Sequence, residues 1–178
     1  MSAIDYVSED GSGMYSQWRV PDLVTSHRNV KLVFVFESPH ADELRVGLPV
    51  VGAAGKSALR YLAPGQSREL SLGRFVQERH AAGDGRIAIL NVSNVPMQAA
   101  AFVGIEGPGL EEGDWAMIGT VRRSKARSMS SLRGTGEQAI AGVLVDGLRK
   151  RLSAVDCGVE GRVVAAGTFA QRAVVAAL

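Results

Sequence analysis

The sequence predicts an α/β fold with a mostly parallel sheet, on three observations. Three short apolar runs, KLVFVF (31–36), RIAILN (86–91) and RVVAAG (162–167), are bounded by turn residues and are too short for helices, as buried parallel strands are. Helical patterns lie between them, and that alternation marks α/β architecture. The chain has 178 residues, 46% of them hydrophobic, enough to bury one core within the usual size of a domain. Residues 1–178 are therefore expected to form a single domain.

In chain order, the first run is followed by a glycine-rich loop and a helical pattern over 56–62. Leu72, Phe75, Val76 and Arg79 predict a second helix that stops near Gly83. After the second strand, residues 92–134 show no clear periodicity, which predicts a long functional or mobile loop. A further helix begins at Thr135, where Gln138 three residues on makes a capping-box pattern. Ile140, Leu144, Leu148 and Leu152 then form one stripe. The basic end of this helix, Arg149, Lys150 and Arg151, complements the helix dipole. A last helix over roughly 168–177 follows the third strand.

Composition excludes several classes. The formal charge is +2, so net charge alone directs the chain to neither nucleic acid nor membrane. No stretch of about 18 apolar residues occurs, and the N-terminal residues lack the basic start and apolar stretch of a signal peptide. A soluble cytoplasmic protein with no membrane association is expected. The single cysteine, Cys157, supplies neither an intramolecular disulfide nor a multi-cysteine metal site.

The loop after the first strand concentrates the chemistry. Ligands of open parallel sheets bind beyond the carboxyl ends of the strands, and residues 37–55 stand there. GAAGKS is not a phosphate-binding P-loop, because that motif needs a glycine where Val50 stands. The residues Glu37, Pro39, Glu43, Gly47, Pro49, Val51, Gly52 and Gly55 keep every spacing of G-E-x-P-G-x-x-E-x-x-x-G-x-P-F-V-G-x-x-G. In this the chain resembles the uracil-DNA glycosylase superfamily. AILN, ending in Asn91, is similar to the strand whose asparagine reads the flipped pyrimidine. VVAAGTFAQRAVV is similar to the late strand and helix.

The resemblance implies a three-layer α/β/α sandwich without cofactor or metal, and DNA as partner; a monomer is the expected oligomeric state. It also implies hydrolysis of an N-glycosidic bond to leave an abasic site. A glycosylase extrudes the nucleotide, holds the base by its Watson-Crick edge and stabilises a cationic sugar while water attacks. Glu37, or Glu43, would orient water or oppose that charge, with Ser38 at the position where several branches carry the catalytic acid or amide. His40 would act as electrophile or acid; of the other two histidines, His27 is unassigned and His80 sits at a helix end. Asn91 would read the base, with Asn94 as the fallback, since an amide both donates and accepts. Pro39, Pro49, Val50, Val51 and Gly52 would form the wall of the base pocket. Arg122, Arg123, Lys125 and Arg127, from a run of five basic residues and no acid over 122–133, would contact phosphates.

The departures from the pattern shape the expected substrate. Phe36 and His40 stand where the family has glycines, and Val50 replaces a phenylalanine that stacks on uracil, which predicts space for a larger base. No late His-Pro-Ser run occurs. The expected substrate is therefore a damaged or modified pyrimidine, including a bulky modified base of phage DNA (a defence role), or else uracil (repair). As structure alone, Glu37 would cap loop amides, Asn91 would form a turn, and the basic run would be a solvated loop. Trp18 and Trp115 are open between core and base stacking. A catalytically silent nucleic-acid-binding module is the alternative reading, and an enzyme of free nucleosides a third.

Overall fold

A computed structural model describes residues 2–8, 15–25, 29–126 and 128–178. His27 and Arg127, two residues considered above, lie outside the described residues. The three expected strands form one sheet in the order β2-β1-β3. They are β1 (Val30–Phe36), β2 (Ile87–Asn91) and β3 (Cys157–Ala165), and β1 pairs in parallel with both neighbours. Strand β3 starts five residues before the expected run, and its register with β1 shifts between Val30 and Leu32. The outer edge of β2 is covered at one point, where Leu23 and Ile89 exchange backbone hydrogen bonds of 2.9 Å in an antiparallel bridge.

Alternation along the strands sends side chains to two cores. Val33, Val35, Ala88 and Leu90 face the larger one, shared with α1 (Ala3–Val7), α5 (Glu112–Arg123), α6 (Thr135–Ser153) and α7 (Thr168–Ala177). Phe34, Phe36 and Ile89 face the smaller one, under α3 (Ala53–Leu62) and α4 (Leu72–Ala81). The fold is thus an α/β/α sandwich in a single domain, with a three-stranded parallel sheet between two helical layers. Among the described residues, no helix is long and apolar enough to cross a membrane.

Two local expectations are corrected. Helix α6 starts at Thr135 with Gly134 as its N-cap, and Gln138 does not complete a capping box. Its Nε2 donates instead to the Leu132 carbonyl at 2.6 Å and ties the helix to the preceding turn. Residues 92–134 are not one irregular loop. They hold a 3-10 turn at Ala99–Phe102, helix α5 and a second 3-10 turn at Met129–Ser131, and they place Val92, Val95, Met97, Phe102, Ile118 and Met129 in the larger core. The pattern of α5 is hard to read because Gly113 and Gly119 interrupt it and its buried face includes Asp114. That carboxylate is inside because it accepts the Ala3 amide, at 2.9 Å, at the start of α1.

An aromatic cluster seals this end of the larger core. Tyr6 meets Tyr15 and Trp115 edge to face at 5.4 and 5.8 Å, and Trp18 meets Phe102 at 6.2 Å. The Tyr6 hydroxyl donates to the Pro96 carbonyl at 2.9 Å, and burial pushes its pKa up.

Candidate functional site

Parallel pairing brings the ends of β1 and β2 together. Phe36 lies opposite Asn91, and the ladder runs on, with Val92 N donating to Phe36 O at 2.8 Å and Ser93 N to Glu37 O at 3.1 Å. The chain at Glu37 and at Asn91 therefore emerges at the same carboxyl edge of the sheet, on neighbouring strands, the usual ligand side of such folds.

Glu37 does not stand alone there. Its Oε1 accepts from Arg122 Nε in an ion pair in which both side chains are partly buried. Arg122 comes from the last turn of α5, so the member of the basic run expected at phosphate is held against the expected catalytic acid. Arg123 and Lys125 are exposed. Ser38 is half-buried and its Oγ accepts from Met97 N at 3.4 Å, a brace between the two strand-end loops. His40 is exposed at the N-cap of α2 (Ala41–Val46). Among the described residues, no hydrogen bond joins it to Glu37, Ser38 or Asn91.

Glu43 organises the loop. One carboxylate oxygen accepts from His40 N at 2.5 Å and the other from Val50 N, so the chain from 40 to 50 is folded around it. Gly47 closes α2 in the left-handed region at φ 68°. Val50 is also left-handed, at φ 57°, which for a β-branched residue is a strained conformation held by its surroundings. Those surroundings are two glycines. A Cβ on Gly55 would lie 1.8 Å from the Val50 carbonyl oxygen, and one on Gly73 would lie 1.9 Å from that of Pro49. Gly73 N also donates to Val50 O at 3.2 Å.

The expected space beside a base is corrected here. Val50 is 3% exposed and packs with Leu59, Leu72, Val76 and Ile89 in the smaller core. It points away from solvent because the left-handed turn rotates its side chain inward, so the missing phenylalanine leaves no open platform. Pro39 and Pro49 are buried, whereas Val51 and Gly52 are half-buried, with Gly52 as the N-cap of α3.

Burial outweighs the two amide donors and holds the Glu43 carboxyl above its ordinary range. A carboxyl raised by folding favours the folded state when protonated, so its contribution is full below the unfolded pKa and is lost as pH rises through the raised value. Urea unfolding of wild type and Glu43→Gln between about pH 4 and 7 tests this. The wild type is expected to lose stability relative to the variant as pH rises; a difference independent of pH would contradict it.

Asn91 is 2% exposed, and its side-chain Nδ2 has no hydrogen-bond partner. Its backbone is fully held: the amide donates to Asp22 Oδ1 at 3.3 Å and the carbonyl accepts from Arg151 Nη1 at 2.7 Å. Arg151 also reaches Asp22 Oδ2 at 3.0 Å, Val92 O at 2.9 Å and Asn94 Oδ1 at 3.4 Å. Asn94 thus belongs to the support of Asn91. Sequence reasoning missed Asp22 and assigned Arg151 to the helix dipole; neither carries a local signal, since they meet only when α6 crosses the end of β2.

Trp18 and Trp115 are both in the aromatic cluster. Trp18 also lines a 240 Å³ cleft with Leu44, Arg45 and Ile105 beside α2, and its indole donates to Glu106 O at 3.0 Å. Among the described residues, no group of three or more His, Cys, Asp and Glu side chains is placed to hold a metal ion. Comparison with known proteins found no family model, curated protein or solved structure that matches the chain.

Proposed function

We propose that the protein is a DNA glycosylase that flips out a damaged or modified pyrimidine, or uracil, and hydrolyses its N-glycosidic bond. The observation that carries this reading is the buried, unpartnered amide of Asn91 at the carboxyl end of β2, beside the strand that runs on into Glu37. An orphaned buried donor is costly, and a site that keeps one gains when a ligand supplies the acceptor. A pyrimidine carbonyl is such an acceptor. In the reaction water adds to the anomeric carbon, the carbon-nitrogen bond breaks, and the base leaves with the bonding electrons and takes up a proton. Glu37 would take the proton of the attacking water and oppose the charge on the sugar. Arg122 would hold the Glu37 carboxylate in place until a DNA phosphate competes for the guanidinium, with Arg123 and Lys125 on the same run toward the backbone.

A second reading is favoured by a specific contact. The Glu37 carboxylate is already engaged by Arg122, and among the described residues no hydrogen bond joins His40 to either. This is the arrangement expected of a silent nucleic-acid-binding module. Base release from DNAs carrying uracil, damaged pyrimidines and bulky modified cytosines separates the two. The glycosylase reading expects abasic sites from one substrate, lowered about 100-fold or more in Glu37→Gln and Asn91→Ala. No release from any substrate, with salt-sensitive DNA binding retained, would establish the silent module.

A further inference from the structure

We propose that a cavity on the outer side of α6 and α7 binds a small monocarboxylate with an apolar body. The cavity measures about 620 Å³, within the range of small-molecule sites. Met129, Val145 and Val175 supply apolar wall, with Ser128 and Arg172 among its polar groups. It shares none of the residues at the ends of β1 and β2.

Arg172 sets the charge of the ligand. It is 7% exposed, and among the described residues no carboxylate lies within ion-pair distance of it. A guanidinium carries five N–H groups. Here Nη1 donates to Ala126 O at 3.2 Å and Nη2 to Arg122 O at 3.3 Å, while the buried Nε has no partner. The two carbonyls and the face of the Phe169 ring, whose centroid lies 5.9 Å from the guanidinium carbon, soften the charge but supply no counter-ion, and a buried cation without one is expensive. Burial accordingly lowers the pKa of Arg172.

Arg149, the other arginine of the cavity, is already engaged. Its guanidinium donates to the carbonyls of Ala176 at 2.8 Å and Ala177 at 3.2 Å and pairs with Asp146. One uncompensated cation therefore faces an otherwise largely apolar cavity. That fits a single carboxylate with a hydrocarbon remainder better than phosphate or a dicarboxylate.

The test is calorimetric titration of the full chain with octanoate, octan-1-ol and inorganic phosphate. Octanoate is expected to bind saturably, about tenfold or more tighter than octan-1-ol, as one charge-assisted hydrogen bond would give; phosphate should not bind there. Arg172→Met is expected to remove that preference. Because this variant also loses two carbonyl contacts, Gly142→Phe is the second. Gly142 lines the cavity and a Cβ there meets no atom within 4 Å, so the ring can fill the space while Arg172 and the fold stay intact. Octanoate binding should then be lost without any loss of thermal stability. Octanoate no tighter than the alcohol, binding that survives Gly142→Phe, or no saturable binding would each overturn the proposal.

Discussion

Arg151→Met is expected to destabilise the protein by about 3–5 kcal/mol, the range for breaking a buried ion pair by removing one partner. The side chains of Arg151 and Asp22 are 16% and 12% exposed and meet at 3.0 Å. Methionine fills much of the arginine stem's volume, so the loss is electrostatic and not a cavity. It leaves the Asp22 carboxylate without this guanidinium and takes donors from the carbonyls of Asn91 and Val92. Asp22→Asn alone should cost less, because the amide oxygen can still accept from Asn91 N. The double variant should be less destabilised than the sum of the two, since the two single changes each remove the same Arg151 to Asp22 pairing. Urea unfolding of the four proteins with a common m-value measures the coupling; additive losses would show that Arg151 acts through packing alone. In the glycosylase reading, because the same residues hold the backbone of Asn91, Arg151→Lys, where it folds, should lower base release more than it lowers stability.

Gly55→Ala is the second large effect, and its sign is diagnostic. By helix propensity alone, alanine inside α3 should stabilise by about 1 kcal/mol. The added Cβ would instead lie 1.8 Å from the carbonyl oxygen and 2.7 Å from the carbonyl carbon of Val50. Both are backbone atoms, so no side chain can rotate away. Helix α3 must move off the loop, which strains the Gly73 to Val50 hydrogen bond and the left-handed turn at Val50. A net loss of about 3 kcal/mol is expected from overpacking of this kind. Gly142→Ala is the control: its Cβ enters open space, and it should stabilise by roughly 0.5–1 kcal/mol. If both variants are stabilised, the close approach of α3 to the loop is wrong. In the glycosylase reading, Gly55→Ala also loses base release in whatever fraction remains folded.

The strands were legible because each is a short apolar run between turn residues, and a buried parallel strand needs little else. Helices α4 and α6 were legible from their apolar stripes, and α3 and α7 from their places after the glycine-rich loop and the third strand. Helix α5 was not, because its inward face carries a glycine, Gly119, and an aspartate whose partner, the Ala3 amide, lies 111 residues away. Within the site, the spacing of residues 37–55 located the loop, and the glycine at 55 has its reason in the Val50 carbonyl. The direction of Val50 was misread, since nothing in the residue type announces a left-handed valine. Arg122 was placed in a basic run and is found against Glu37, a pairing that needs the full length of α5 to bring it there.

By itself the sequence determined the α/β class, the parallel strands and the glycine-rich loop after β1, because hydrophobic period and turn residues are local properties. Only the tertiary structure decided which charges meet and which stay uncompensated. The Glu37 to Arg122 pair, the Asp22 to Arg151 support of Asn91, and the unneutralised Arg172 in its cavity all join residues distant in the chain. Their energies depend on burial and separation, which exist only once the helices have packed on both faces of the sheet.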